Sequence, residues 1–342
     1  MNTKSQNNLW RITIDTNPED CNLACIMCEE HSAFSTYIKE KLGGKRRRMP
    51  ENWLENIFEQ AKKLGVKEII PSTMGEPLLY KHFDKIVNLC YQYDLKMNLT
   101  TNGTFPKISG KTTQEWAKLI VPITTDIKIS WNGATKETSE KVMQGIDFEQ
   151  VIKNVKDLIR IRNAHFSTTN YYCKITFQLT FMQNNMHELA DIIRLAAELD
   201  VDRVKGHQLW THFEEIKNLS FKKDEKSIEK WNEYVKKAYE AREKYRKPNG
   251  EKIILENINF LKPENTKDYI DLECPFLNKE LWISATGKFS PCCAPDELRN
   301  SLGDFGNIEN TSISEVLESE NYQNLVKNYQ KIDLCKTCNM RK

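Results

Sequence analysis

From residue 10 to about residue 210, β-prone runs alternate with amphipathic stretches, the pattern of repeated βα units on a parallel sheet. Six runs have strand character, at 10–15, 67–71, 95–100, 125–130, 173–182 and 203–207. Helical patterns fall between them, among them Asn52 to Leu64, His82 to Tyr93, Phe148 to Arg162 and Met186 to Leu199. In β/α architectures the reactive groups sit on loops that follow the strand C-termini, and the polar signals here fall on that edge. A cysteine-rich loop follows the first run, Gly75 and Glu76 the second, Thr101, Asn102 and Gly103 the third, and Ser130, Asn132 and Gly133 the fourth.

The first of these loops carries Cys21-x3-Cys25-x2-Cys28. Three thiols this close leave one coordination position open. A four-iron cube held by three thiolates keeps one iron free to bind something reactive, whereas a closed zinc site wants a fourth ligand, for which His31 is within reach. The chain has 342 residues, ten of them cysteine. That is far beyond the size that needs disulfides to stabilise a core, so the thiols point to metal ligation in a reducing compartment. No apolar run is of membrane length and the polar start MNTKSQNNLW has no signal-peptide core, so the expected location is cytoplasmic. A formal charge of +2 gives no bulk reason to expect nucleic acid. The local run Lys45-Arg46-Arg47-Arg48 reads as a solvated loop or as a contact for an anionic substrate or acidic partner.

The cysteine spacing resembles that of the radical S-adenosylmethionine (SAM) enzymes. The resemblance implies an α/β fold, a partial (β/α)6 TIM-like barrel over residues 1–210. It also implies a 4Fe–4S cluster on Cys21, Cys25 and Cys28, whose open iron chelates SAM, and cleavage of SAM to a 5′-deoxyadenosyl radical. Met27 stands where the family usually places an aromatic residue against the adenine, and its polarizable thioether can still cover that face. Gly75 and Glu76 match the family's Gly-Gly-Glu segment at the SAM amino group, with Met74 in place of the first glycine. Asn102, Ser130 and Gln178 are further cofactor-binding candidates, the last two toward the SAM carboxylate and ribose. A flavodoxin- or ferredoxin-type electron donor is the implied partner.

Residues 211–268 break the alternation and are heavily charged. Ser227 to Tyr245 reads as an amphipathic helix capped by Ser227, with Trp231, Tyr234, Val235 and Tyr239 near helical spacing as a packing stripe. Turn signals at Lys247 to Gly250 and around Pro263 precede the last unit, 269–342. There Gly287 reads as the turn of a β-hairpin, and Cys274, Cys292, Cys335 and Cys338 can close either a zinc site or a cluster. Cys274-x12-Gly287-x4-Cys292 with a later Cys335-x2-Cys338 resembles the SPASM/Twitch auxiliary-cluster domain of radical SAM enzymes. The sequence ends four residues after Cys338, which favours the short form with one auxiliary 4Fe–4S cluster. Cys293 is the spare thiol, for packing or for hydrogen-atom donation. Cys90 and Cys173 read as core thiols.

The function these parts imply is hydrogen-atom abstraction from a peptide or small molecule, followed by oxidation or bond formation with help from the auxiliary cluster. Epimerisation with a cysteine donor, RNA modification and a non-enzymatic zinc-binding module are the alternatives. Only twenty residues precede Cys21, which lowers the expectation of a ribosomal-peptide substrate.

Overall fold

The computed structural model describes residues 8–71, 74–107, 110–262, 273–294, 296–336, 338, 340 and 341. The six expected strands form: β1 Arg11–Ile14, β2 Glu68–Ile70, β3 Lys96–Thr101, β4 Thr124–Ser130, β5 Lys174–Phe181 and β6 Arg203–Gln208. Three more follow, β7 Ile254–Glu256, β8 Glu280–Ile283 and β9 Phe289–Ser290. All nine lie in one sheet, in the order β7-β6-β5-β4-β3-β2-β1-β8-β9. Neighbours run parallel except β8 and β9. The larger helices are α1 Glu51–Lys63, α2 Phe83–Tyr93, α3 Thr113–Ile120, α4 Lys136–Val142, α5 Phe148–Thr169, α6 Leu189–Glu198, α7 Glu225–Lys244, α8 Ile313–Glu318 and α9 Glu320–Asn328.

Period-two alternation sorts each strand into two faces. Ile127 and Ile129 of β4 are fully buried in the hydrophobic core, while Asp126, Lys128 and Ser130 take the other face. Helices cover the apolar face. On α1 the buried set Leu54, Ile57, Phe58 and Ala61 has the i, i+3, i+4, i+7 spacing of an amphipathic helix, and truncating a residue such as Phe58 to Ala costs about 3–5 kcal/mol.

Three details differ from the sequence reading. The N-cap of α7 is Asp224, whose carboxylate accepts from the Ser227 amide at 2.7 Å, so Ser227 lies inside the first turn. Trp231 and Val235 are core residues there, whereas Tyr239 is largely exposed. The charged region also contributes β7, which extends the sheet beyond β6. The turn expected around Pro263, and with it the 268/269 boundary, lies outside the described residues.

The C-terminal hairpin turns at Gly287, whose φ of +81° suits glycine. It does not stand apart from the barrel. β8 pairs with β1 in register Arg11↔Glu280 to Ile14↔Ile283, and Arg299 donates to Asp15 at 3.2 Å. The barrel sheet therefore continues into the second cysteine-bearing unit.

Candidate active site

The loops after β1, β2 and β3 are zipped together at the strand C-termini. Asn17 Nδ2 donates to the Glu76 carbonyl at 2.9 Å, and the Glu76 amide donates to the Asp20 carbonyl at 2.8 Å. Gly75 lies so close to the cysteine loop that a Cβ there would sit 2.1 Å from the Asn17 carbonyl oxygen. Only glycine permits that approach. The Glu76 side chain turns inward, with 1% of its surface exposed. It accepts from Thr101 Oγ1 at 2.8 Å, the Asn102 amide at 2.7 Å and the Leu78 amide at 3.2 Å. Asn102 in turn donates to Asn22 Oδ1 at 2.9 Å and stands 3.8 Å from Cys21 Sγ.

Cys21, Cys25 and Cys28 are partly buried and feel one another's charge. Burial, then Cys28 and Cys21, pushes the Cys25 thiol up, and burial with Glu30 and Cys21 pushes Cys28 up to about 11. Such thiols become thiolates when a bound cation replaces their protons. The His31 ring donates through Nε2 to the Pro18 carbonyl at 2.8 Å, so that nitrogen is committed away from the thiols.

The arginine run is partly solvated, with the Arg46 and Arg48 side chains 53% and 56% exposed, and Arg47 lines the cavity beside the thiols. Arg47 pairs with Glu19, whose side chain is completely buried, while Arg48 and Arg46 reach Asp20 at 2.6 and 3.0 Å. Burial raises the Asp20 pKa, but the hydrogen bonds from Arg48 and Arg46 outweigh it and hold the carboxyl below its ordinary value. Two acidic residues just ahead of Cys21 are thus pinned by residues that follow the cysteine loop.

Beside the thiols is a cavity of about 360 Å³. Met27, Cys28 and Met74 line its loop side, Thr180 and His207 come from β5 and β6, and Trp282 and Cys293 close it from the C-terminal unit. Burial pushes His207 down to about 4, so its ring is neutral near pH 7. Gln178 and Ser130 are register partners on β5 and β4, and Gln178 lines a deeper cavity inside the sheet. Sequence reasoning missed Thr180, His207 and Trp282. The strand ends at Thr180 and His207 were the available signal, and Trp282 had none, because β8 meets β1 across 269 positions.

Cys274, Cys292, Cys335 and Cys338 converge on a second cavity, about 530 Å³ and mostly apolar. Amides point at two of the sulfurs, Leu277 N–H to Cys274 and Ala294 N–H to Cys292, both at 3.4 Å. Burial and the three other thiols push Cys335 up to about 11. Amide bonds to sulfur and a dry wall suit an iron–sulfur cluster, whose potential such contacts set. Among the described residues no three His, Cys, Asp or Glu side chains stand close enough to wrap a single metal ion. Cys293 lines both cavities. Cys90 and Cys173 are buried, at 1% and 0% exposure.

An open parallel barrel with three thiols at its mouth, and a docked C-terminal unit in which Cys274 and Cys292 flank the hairpin and Cys335 and Cys338 return to the same cavity, defines a class of cluster-bearing radical enzymes. Residues 18–196 match the radical SAM superfamily, over half of the chain, and residues 274–339 match an iron-sulfur cluster-binding domain, SPASM. The chain belongs to the radical SAM superfamily. Its cofactors are S-adenosylmethionine and two iron–sulfur clusters, which removes the zinc-module reading. It is 26% identical over 184 residues to a protein described as Probable GTP 3′,8-cyclase of Pyrococcus horikoshii, covering 53% of this chain and 51% of the relative. It is 26% identical over 149 residues to a tRNA 4-demethylwyosine synthase of Danio rerio, covering 44% of this chain and 18% of that one. The chain thus spans about half the length of the cyclase it matches. Among solved structures, Streptococcus suis SuiB bound to S-adenosylmethionine superposes with a TM-score of 0.67 at 17% identity, over 98% of this chain and 71% of SuiB. A structure titled Native anSMEcpe with bound AdoMet gives 0.66 at 17% identity, over 96% and 87%. These two likenesses establish the fold. Among the described residues no helix is long and apolar enough to cross a membrane.

Proposed function

We propose that this chain reductively cleaves SAM and abstracts a hydrogen atom from a peptide or small molecule held between the barrel and the hairpin unit, with net oxidation or bond formation as the outcome. When bound, the cluster with SAM supplies a 5′-deoxyadenosyl radical, and the auxiliary cluster supplies an electron acceptor. Cys21, Cys25 and Cys28 would hold the first, and Cys274, Cys292, Cys335 and Cys338 the second. Met27 and Met74 offer soft apolar cover in the 360 Å³ cavity. Glu76 is committed to Thr101, Asn102 and Leu78, so in this reading its carboxylate shapes the loop while the Gly75 backbone faces the ligand. Asn102 positions the Cys21 side of the loop, and Ser130 and Gln178 offer polar contacts deeper in. Trp282 and the neutral His207 help to exclude water and stray protons. A flavodoxin- or ferredoxin-type protein would deliver the electron.

The observation that carries this reading is the shared wall. Cys293 lines both cavities, so a molecule in the first lies next to the second. The same position favours epimerisation as the second reading, with Cys293 as hydrogen-atom donor. Cys28→Ala is expected to abolish 5′-deoxyadenosine formation with dithionite while the C-terminal cluster stays loaded, and retained cleavage would refute the assignment. Cys293→Ala is expected to leave oxidised product unchanged. If instead only that variant accumulated an unquenched product, epimerisation would be the activity.

A further inference from the structure

Behind the 360 Å³ cavity, and sharing His207, Phe276 and Met340 with it, lies a second space of about 540 Å³ inside the sheet. Its lining is unusually ionic for a strand-walled interior. Five cations face it, Arg11, Lys128, Lys174, Arg203 and Lys205, against four carboxylates, Glu68, Asp126, Glu256 and Glu280.

The carboxylates all have partners. Arg11 bonds Glu68 at 2.6 Å and Glu280 at 3.5 Å, and Thr13 also donates to Glu280 at 2.7 Å. Arg203 pairs with Asp126 and, at 2.6 Å, with Glu256, which Lys205 reaches at 3.5 Å. Two of the lining cations, Lys128 and Lys174, have no carboxylate within ion-pair distance among the described residues. Lys174 opens β5, whereas Lys128 stands mid-strand on β4, and among the described residues its ammonium hydrogen-bonds Asn98 Oδ1 alone. Burial lowers its pKa to about 8. His207, which also lines this space, is neutral near pH 7 because burial lowers its pKa to about 4. An enclosed ammonium with one amide partner is costly, and it has two N–H donors to spare.

We propose that Lys128 is the anchor for a single carboxylate of the substrate, so that the reacting C–H extends from the interior of the sheet toward the SAM cavity. The surplus of one cation sets the ligand charge. One monoanion brings the lining to neutrality, whereas a phosphate dianion adds repulsion from four neighbouring carboxylates. Gln178 and Lys205, register partners on β5 and β6, line the same space and complete a polar wall. The substrate class is therefore an amino acid, a peptide with an acidic side chain or free C-terminus, or another small carboxylic acid. This inference rests on the proposed reading that substrate enters between barrel and hairpin.

The test is competitive labelling of the reconstituted, SAM-bound holoenzyme with N-hydroxysuccinimidyl acetate at about pH 8, with acetylation read by peptide mass spectrometry. Lys63, 70% exposed on α1, is the internal reference. Acetate is expected to protect Lys128 saturably, at least about tenfold, by the mass action of an occupied site, with Lys63 unchanged and inorganic phosphate weaker. Failure of acetate to protect, protection by phosphate at lower concentration, or a Lys128 that stays unlabelled without ligand would each overturn the assignment, since a space that admits a carboxylate admits the reagent. Formation of 5′-deoxyadenosine by the same preparation is scored separately, so loss of the radical reading and loss of the carboxylate site are told apart.

Discussion

Glu76 is visible in the sequence, but the three donors that hold its carboxylate, Thr101, Asn102 and Leu78, are not announced by its motif. Its carboxyl is pushed up to about 7 by burial, against the pull of the Asn102, Thr101 and Leu78 donors. The folded chain therefore keeps a proton that the unfolded chain releases near 4.5. Native protein binds more protons between those values, so stability falls as pH rises from about 4.5 to 7. The span is worth about 3 kcal/mol at 1.36 kcal/mol per pKa unit. Glu76→Gln is expected to flatten that part of the profile, measured by urea unfolding at both ends of the window. An unchanged slope would place its origin elsewhere. The Gly-Glu pair marks the position in the sequence, but the inward turn of the side chain depends on Thr101 and Asn102 of another loop, and no local pattern encodes that.

At the level of elements, the cysteine loop is held by neighbours on both sides. Arg47 covers the fully buried Glu19, and removing it leaves a carboxylate without its main counter-charge. Arg47→Ala is expected to destabilise the fold by about 3 kcal/mol and to lower iron uptake at the N-terminal site more than at the C-terminal one. Pairing it with Glu19→Gln should recover most of the loss, and failure to recover would mean that Arg47 acts through another contact. The run of four basic residues is plain in the sequence, yet its partners sit 26 to 28 positions earlier, beyond helical or strand periodicity. Strands β1 and β3 to β6 were legible because alternation over four to eight residues is a strong signal, and the three-residue β2 because it falls between two clear amphipathic helical patterns. The three-residue β7 is too short to show a period, and the α7 cap went to Asp224 because two good capping residues compete within four positions.

For the whole molecule, one sheet draws strands from all three units that the sequence suggested, 1–210, 211–268 and 269–342. The motifs of both cysteine sets were readable by spacing, because ligand loops are local. The parallel pairing of β1 with β8 was not, since it joins segments 269 positions apart, and with it went Trp282 and the shared wall at Cys293. The ionic interior was hidden for the same reason. Each charge alternates innocently along its own strand, and only the register of β4, β5 and β6 sets Lys128 beside Thr176 and Arg203 and, one pleat on, Ser130 beside Gln178 and Lys205. The proposed function requires two independent clusters facing one substrate space. Iron content after anaerobic reconstitution tests it most directly, comparing the unmodified chain with a variant carrying Ala at Cys21, Cys25 and Cys28. About eight irons per chain should fall to about four. About four falling to none would contradict it, leaving the hairpin unit without a cluster and the substrate space without its electron acceptor.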